Sequence, residues 1–532
     1  MSPKRHPEES TVFNLSVMLR ESAAVSPLKP VATWAGGRMT YAELDDLSDR
    51  LAVALQDRGV RRAERVALQL PNVAAFLVAY FGILKAGAVV VPLNVLLKSE
   101  EIAYHLTHSS ARVLITWAGV LEHASAGAAL SGVRDVIVAG DFPEPSDAVP
   151  FATLLQTAPS GRPMADTAAD DTAVIVYTSG TTGRPKGAEL THFQLYMNAD
   201  IPGRMFDVRA DDVVLTVLPL FHVFGLSSIL DCALRFGAGL SLVPRFDPDA
   251  VLAAIERDRA TIFEGVPTMF AALLAHPDLD RYDVSSLRIA ISGGAAIPAK
   301  VFDEFERRFG VTILEGYGLS ETASTTTFNR SVDDRRAYSV GKPIWGTECQ
   351  IWDDQDRRLP VGREHIGEIV TRGFHTMKGY LDDPAATATA FSGGWLHTGD
   401  LGYVDEDGYF FVVDRKKELI IRGGYNVYPR EVEETLYRHP AVAEAAVVGI
   451  PDERLGEEVL AFVALREGAE ASALELIAHC RGHLAAYKYP RVIDLQPHLP
   501  KSGAGKILKL ELKAQLTVRM AAQESEASVT RA

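Results

Sequence analysis

The chain predicts an α/β protein: a large N-terminal domain of layered α/β subdomains plus a small β-barrel, followed by a small α+β C-terminal domain. Three observations carry that reading. Short apolar runs alternate with helix-period segments up to about residue 330; this is the pattern of α/β layers with mostly parallel sheets. Beyond about residue 335, short strands broken by Gly and Asp turns replace that rhythm. After Asp414, helices and strands return in an α+β order. The length of 532 residues suits about three or four structural units at roughly 150 residues each.

In chain order, a polar tail to about Ser10 comes first and is expected to be mobile. Tyr41 to Leu55 carries apolar residues at helical spacing, with Thr40 as a suitable N-cap. Arg65–Leu70 reads as a strand, the apolar run from Val73 to Lys85 as a buried helix, and Ala88–Val91 as the next strand. Further strands are expected at 111–116, 136–139, 173–176, 213–217, 240–244, 260–264, 287–292 and 311–314. The β-rich unit, about 335–413, has strands at 348–352, 367–371, 401–404 and 409–413. Beyond it a helix runs from Pro429, a residue suited to a first helical turn, through Tyr437. Strands near 443–450 and 459–465 and a helix near 471–483 follow, with a polar tail after about Met520. The domain boundary falls in the charged stretch Asp414–Lys417, giving a large domain at 1–414 and a small one at 415–532.

Composition excludes several classes. An apolar fraction of 47% and a charged fraction of 23% are those of a globular protein. A net charge of −15 argues against general nucleic-acid binding and against adhesion to anionic lipid. Three scattered cysteines, Cys232, Cys349 and Cys480, show no metal-ligand spacing and fit a reducing, cytoplasmic compartment. No apolar core follows the basic start, so no signal peptide is expected. The Val73–Leu84 run is too short to span a bilayer.

Five runs carry chemistry. Tyr177 to Gly187 packs three glycines, four Ser/Thr hydroxyls and Lys186 directly behind the apolar stretch Ala173–Val176. Such a loop turns backbone N–H groups and hydroxyls toward a polyanion. It is not the Walker loop, because Gly180 and Gly183 are three apart and Gly187 follows Lys186. A plain surface turn is the bland alternative. Glu315 to Thr322 contains Gly316 and Gly318, but Glu321 stands where a dinucleotide fingerprint needs its third glycine. A carboxylate beside phosphate makes sense as a Mg²⁺ ligand, and Tyr317 offers a flat face for a base; a capped helix start is the simpler reading. Trp395 to Asp400 places a carboxylate on a Gly turn, fit to accept ribose hydroxyls or to be only a turn. Asp414 to Pro429 is a charged run followed by Gly423, Gly424 and Tyr425, a hinge or a solvated linker. Pro500 to Lys506 puts a lysine on a Gly/Ser loop, where surface charge is the ordinary outcome.

Taken in this order, the five runs resemble the adenylate-forming superfamily of acyl-CoA synthetases, luciferases and peptide-synthetase adenylation domains, from about Thr40 to Leu512. The acyl-CoA synthetase (fatty-acid–CoA ligase-like) branch fits best, and Pro219–Gly225 and Ser292–Pro298 also look like it. The resemblance implies ATP, Mg²⁺ and coenzyme A as partners of a carboxylic acid. It implies that Thr178, Ser179, Gly180, Thr181, Thr182, Gly183 and Lys186 hold the β- and γ-phosphates. Glu321 matches the Mg²⁺ carboxylate and Thr322 the α-phosphate contact. Tyr317, Gly318, Gly294 and Ala295 match the adenine site, and Asp400 and Arg415 the ribose contacts. Lys506 matches the lysine that bridges carboxylate and α-phosphate, and Lys417 the hinge of a mobile small domain. His222 matches an aromatic gate beside the acyl pocket, with a core histidine as the alternative. Gly423, Gly424 and Tyr425 match the pantetheine tunnel.

Ser320 departs mildly from the family's usual Thr. The hydroxyl-rich Ala323–Thr327 segment sits where the family borders its acyl pocket, and Gly265, Gly293 and Gly316 suggest room for a long or bulky acid. An unbranched medium- or long-chain fatty acid leads, with a bulky hydrophobic or aryl acid open. An acyl-AMP ligase that loads an acyl carrier protein in trans is the nearest rival, and a catalytically silent nucleotide-binding regulator the rival from another class. A homodimer is compatible with the resemblance.

Overall fold

The computed structural model describes residues 12–141, 148–161, 164–178, 184–452 and 454–530, with side chains up to Arg519. The polar N-terminal tail expected to be mobile lies outside the described residues. So do Ser179, Gly180, Thr181, Thr182 and Gly183.

Local sequence explains the first elements. Thr40 caps the helix Tyr41–Asp57 through a reciprocal box: its side chain accepts from the Glu43 N–H, and Glu43 accepts from the Thr40 N–H at 2.7 Å. The helix Ala74–Lys85 is buried from Phe76 to its end, as its unbroken apolar sequence requires. Its final Lys85 is buried too, held by Asp45 at 2.6 Å and Asp49 at 2.7 Å. Arg20 completes the cluster on the same two carboxylates.

Two large sheets form the body of the molecule. The first has eight strands in the order 379–380, 186–191, 172–178, 89–92, 65–69, 113–117, 135–139, 149–150. It is parallel from 172–178 outward, while 186–191 and 379–380 are added antiparallel. The second has nine strands, with a parallel block of 312–317, 289–292, 262–265, 213–216, 239–242 and 30–34. One hydrophobic core joins both sheets and includes Phe76, Tyr80, Phe263 and Phe305. The parallel strands set Gly265, Ser292 and Glu315 in register toward their C-terminal ends. Ligands in open α/β sheets bind at such strand ends.

The β-rich unit is a five-stranded antiparallel sheet over its own small core of Ile351, Ile369 and Phe410. Among the described residues no ladder pairs 347–352 with 410–415. Past Asp414, a separate sheet of 420–422, 425–427, 456–465, 442–452 and 492–496 carries apolar clusters on both faces. The hairpin 420–427 and strand 492–496 were not legible as strands, because their apolar alternation is too brief. The expected polar tail is instead the end of the helix Lys509–Thr530; Ala521, Ala522, Gln523 and Glu524 are strong helix formers.

Candidate active site

The glycine- and hydroxyl-rich run closes a hairpin. Thr178 and Lys186 face one another as a register pair at the ends of strands Thr172–Thr178 and Lys186–Thr191. A strand therefore follows the loop, where a Walker loop would lead into a helix. Helix Ser99–His108 holds both ends of the hairpin turn. The Tyr104 hydroxyl donates to the Pro185 carbonyl at 2.8 Å, and His108 Nδ1 meets the Tyr177 hydroxyl at 2.9 Å.

Glu321 sits on a tight turn at Ser320–Thr322. Thr322 is fully buried, and its hydroxyl accepts from the Leu319 N–H at 2.8 Å, so it shapes the turn that presents Glu321. Gly318 is required there: a Cβ would lie 1.5 Å from the Ser324 carbonyl oxygen. Tyr380 ties this turn to the hairpin. Its hydroxyl donates to Glu321 at 2.8 Å, and Lys186 Nζ lies 5.2 Å over its ring. Tyr380 reaches this position because strand 379–380 pairs with the second hairpin strand. Nothing in the local sequence marks it.

A cavity of about 660 Å³ opens between the large and small domains, lined among others by Gly294, Ala295, Tyr317, Asp400, Arg415 and Lys506. Asp400 accepts from the Tyr317 hydroxyl at 2.7 Å and pairs with Arg415 at 2.8 Å. Each carboxylate oxygen keeps a further lone pair for a hydroxyl of a ligand. The Asp400 charge raises the Arg415 pKa, and burial next to Asp400 pushes the Tyr317 phenol far up, so it stays a donor.

Lys506 enters this cavity from the loop 501–507, which is pinched by a bridge between Lys501 and Ile507. The loop docks on the large domain where Thr268 donates to the Gly505 carbonyl at 2.9 Å. Gly505 has φ +81°, and a Cβ would meet Val266 and Thr268 at 3.0 and 3.1 Å. The Lys506 side chain is reached by solvent through the open cavity but is surrounded by protein elsewhere; that burial, then the nearby Arg415, lowers its pKa. His222 lies beside it, and burial together with Lys506 holds the imidazole at about 4. The ring is therefore neutral, and its Nδ1 accepts from the Phe224 N–H at 3.2 Å.

Other residues stand apart from the cavity. Gly423 and Gly424, at φ +57° and +82°, form an exposed hairpin turn, and Tyr425 stacks on Tyr487 with ring centroids 4.8 Å apart. Lys417 is exposed on the short turn 416–418. This is the arrangement with Lys506 in and the glycine turn out. Buried charge around Asp414 was not anticipated: Asp414 accepts from the Arg430 N–H at 3.0 Å, and Lys509 pairs with Glu418 and Glu433. Burial raises Asp414 to about 6.

One of the small residues expected to leave room does not: a Cβ on Gly265 would meet Phe263 at 2.8 Å and Phe270 at 3.2 Å, so Gly265 accommodates aromatic rings of the core, a correction to the expectation of free space there. Gly316 lines the cavity, and a Cβ on it would meet Phe328 at 2.6 Å. A Cβ on Gly293 would meet Phe224 at 3.0 Å. In the Ala323–Thr327 segment, the Thr327 hydroxyl donates to the Val340 carbonyl, and Thr326 Oγ1 is buried without a partner.

This fold, with a nucleotide-sized cavity closed by a lysine loop from a second domain, is that of an adenylate-forming enzyme. The AMP-binding enzyme family matches residues 19–381, and its C-terminal domain matches 431–506. The chain belongs to that family. It is 37% identical to a long-chain-fatty-acid–CoA ligase of Bacillus subtilis (strain 168), over 97% of each chain. It is 40% identical to a feruloyl-CoA synthase of Amycolatopsis sp, over 92% of this chain and 96% of the relative. A solved anthranilate CoA ligase with anthranoyl-AMP superposes with a TM-score of 0.91 at 32% identity, covering 98% of this chain and 100% of the other. Among the described residues no helix is long and apolar enough to cross a membrane.

Proposed function

We propose that this protein is an ATP-dependent, AMP-forming acyl-CoA synthetase, active on a medium- or long-chain fatty acid or a bulky hydrophobic or aryl acid. The observation that carries this reading is Lys506, delivered by the small domain into a cavity walled by Tyr317, Asp400 and Arg415. The relatives act on acids of both kinds by name.

In the first step, a carboxylate oxygen of the acid attacks the α-phosphorus of ATP, the bond to the β-phosphate oxygen breaks, and pyrophosphate leaves. Two anions must approach, so catalysis rests on positive charge placed where charge develops. Asp400 and Arg415 hold the ribose, and Gly294, Ala295 and Tyr317 the base. The hairpin from Thr178 to Lys186 holds the departing pyrophosphate end. Lys506 sits between the acid and the α-phosphate. Glu321 is the carboxylate that would hold a Mg²⁺ ion at the nucleotide. Among the described residues no group of three or more metal-ligating side chains would hold a metal alone. When bound, the ion neutralises phosphate charge.

In the second step, the thiol of coenzyme A attacks the acyl carbonyl and AMP leaves. The small domain, 415–532, would turn about Lys417, withdraw Lys506 and bring Gly423, Gly424 and Tyr425 to the tunnel. Loading of an acyl carrier protein is the alternative acceptor. A carboxylic-acid panel, scored for AMP release with CoA or with a carrier protein, tests the assignment. Acid-dependent AMP and pyrophosphate are expected, and release of ADP would refute it.

A further inference from the structure

We propose that Glu368 is a positioning residue for the ribose of ATP: it sets the spacing of Asp400 and Arg415 by bonding to the residue before the one and the residue after the other. This rests on the acyl-CoA synthetase reading above.

Strand Gly367–Gly373 runs antiparallel to strand Trp395–Val404. The ladder pairs Glu368 with Leu401 and resumes only at Val370 with His397. Thr398, Gly399 and Asp400 therefore face Ile369 alone, and the second strand bulges. Bulges re-aim side chains and are over-represented next to active sites. Gly399 turns the chain here with φ +72°, a conformation that favours glycine. The bulge takes backbone N–H groups out of the ladder, and a buried N–H needs a partner. Thr398 Oγ1 accepts from the Asp400 N–H at 3.1 Å. Gly399 is served from the neighbouring strand: its N–H donates to Glu368 Oε1 at 2.9 Å.

A neutral acceptor would suffice for that N–H, and a buried charge is costly unless paired. Glu368 is 8% exposed, so its charge calls for partners. Its Oε2 accepts from Lys416 Nζ at 3.3 Å and lies 3.3 Å from His397 Nδ1. Lys416 also reaches Asp354 at 3.0 Å. Two consecutive cations thus meet two carboxylates: Arg415 pairs with Asp400 at 2.8 Å, and Lys416 with Glu368. Asp400 and Arg415 are themselves register partners across their strands. One carboxylate therefore braces this pair from both sides, at the turn into Asp400 and at the residue after Arg415. Lys416 opens the turn 416–418 that carries Lys417, so the brace also joins the ribose site to the proposed hinge. An acceptor held in place rejects a ligand that lacks the hydroxyl. An acceptor free to shift rejects it less.

The test measures acid-dependent pyrophosphate release with ATP, 2′-deoxyATP and 3′-deoxyATP, using the best acid of the panel with CoA. The wild-type enzyme should prefer ATP in kcat/KM to at least one deoxy analogue by about tenfold or more. Glu368→Ala should shrink that preference several-fold, through a higher KM for ATP and with KM for the acid unmoved. Lys416→Ala should shrink it less, because Gly399 keeps its acceptor. Glu368→Gln should match Lys416→Ala, because the amide oxygen still accepts while the ion pair is lost. A purely structural defect lowers turnover of the three nucleotides alike and leaves the preference unchanged. Where Glu368→Ala does not fold, the other two variants decide. A preference unchanged in every folded variant, or a wild-type enzyme indifferent to the ribose hydroxyls, overturns this inference and leaves the synthetase assignment standing. Absence of pyrophosphate release with every acid overturns both.

Discussion

In the proposed reaction Lys506 serves one half-reaction and leaves for the other. Its loop touches the large domain through the Thr268–Gly505 hydrogen bond. Lys506→Ala should slow formation of acyl-AMP by about 10²–10³-fold, the cost of one preorganised contact to developing charge. Thioester formation from acyl-AMP supplied ready-made should be largely spared. Separate assays of the two half-reactions check this, and an equal loss in both would contradict a lysine used in only one. Gly505→Ala should show the same asymmetry more mildly, because the strained φ of +81° and the 3.0 Å approach to Val266 would push the loop from its dock. Tyr380→Phe removes the hydrogen bond that orients Glu321. It should raise the Mg²⁺ concentration needed for half-maximal adenylation, with KM for the acid unmoved.

At the scale of elements, two features depend on neighbours distant in sequence. The hairpin proposed to hold the phosphates is held by helix Ser99–His108 at Tyr177 and Pro185. Loss of the Tyr104 hydroxyl in Tyr104→Phe should raise KM for ATP several-fold and leave use of preformed acyl-AMP unchanged, which pyrophosphate exchange would reveal. The helix Ala74–Lys85 ends on a buried ion cluster. Removing its amine in Lys85→Ala leaves Asp45 and Asp49 facing each other with only Arg20, and should destabilise the large domain by about 3–5 kcal/mol. A shift of the urea midpoint measures it; replacement by Met tests whether lost packing or lost charge is responsible.

For the whole molecule, buried titratable groups shape stability against pH. Burial raises Glu264 to about 8 and Glu315 to about 7 from an ordinary 4.5. The folded chain therefore keeps protons that the unfolded chain has released, and this contribution falls as pH rises from 4.5 to 8. Burial lowers His192, His222 and His375 to about 4 from 6.5. Their contribution is present above 6.5 and is lost as pH falls through 4. Above pH 6.5 only the carboxyls act, so the unfolding temperature should be lower at pH 8 than at pH 6.5. Glu264→Gln should flatten that slope by about 1–2 kcal/mol over the interval. Calorimetry across the range decides it; an unchanged slope would mean that Glu264 is ionised in the fold.

Much of this was legible without coordinates. The capping box at Thr40, the buried helix to Lys85 and the parallel strands are local patterns, set by period, capping chemistry and turn residues. The family match follows from motifs that keep their order along the chain. Other features belong to the folded chain alone. Tyr380 reaches Glu321 only because strand 379–380 pairs with 186–191; Gly265 turns out to accommodate phenylalanines of the core; and Ser228 meets Glu264 across 36 residues of chain. By itself the sequence determined the class of reaction and pointed to the residues proposed to handle ATP, because those motifs are short contiguous loops. Only the tertiary structure decided which domain arrangement places Lys506 in the cavity and which side chain serves the turn before Asp400, because both depend on side chains brought together by packing.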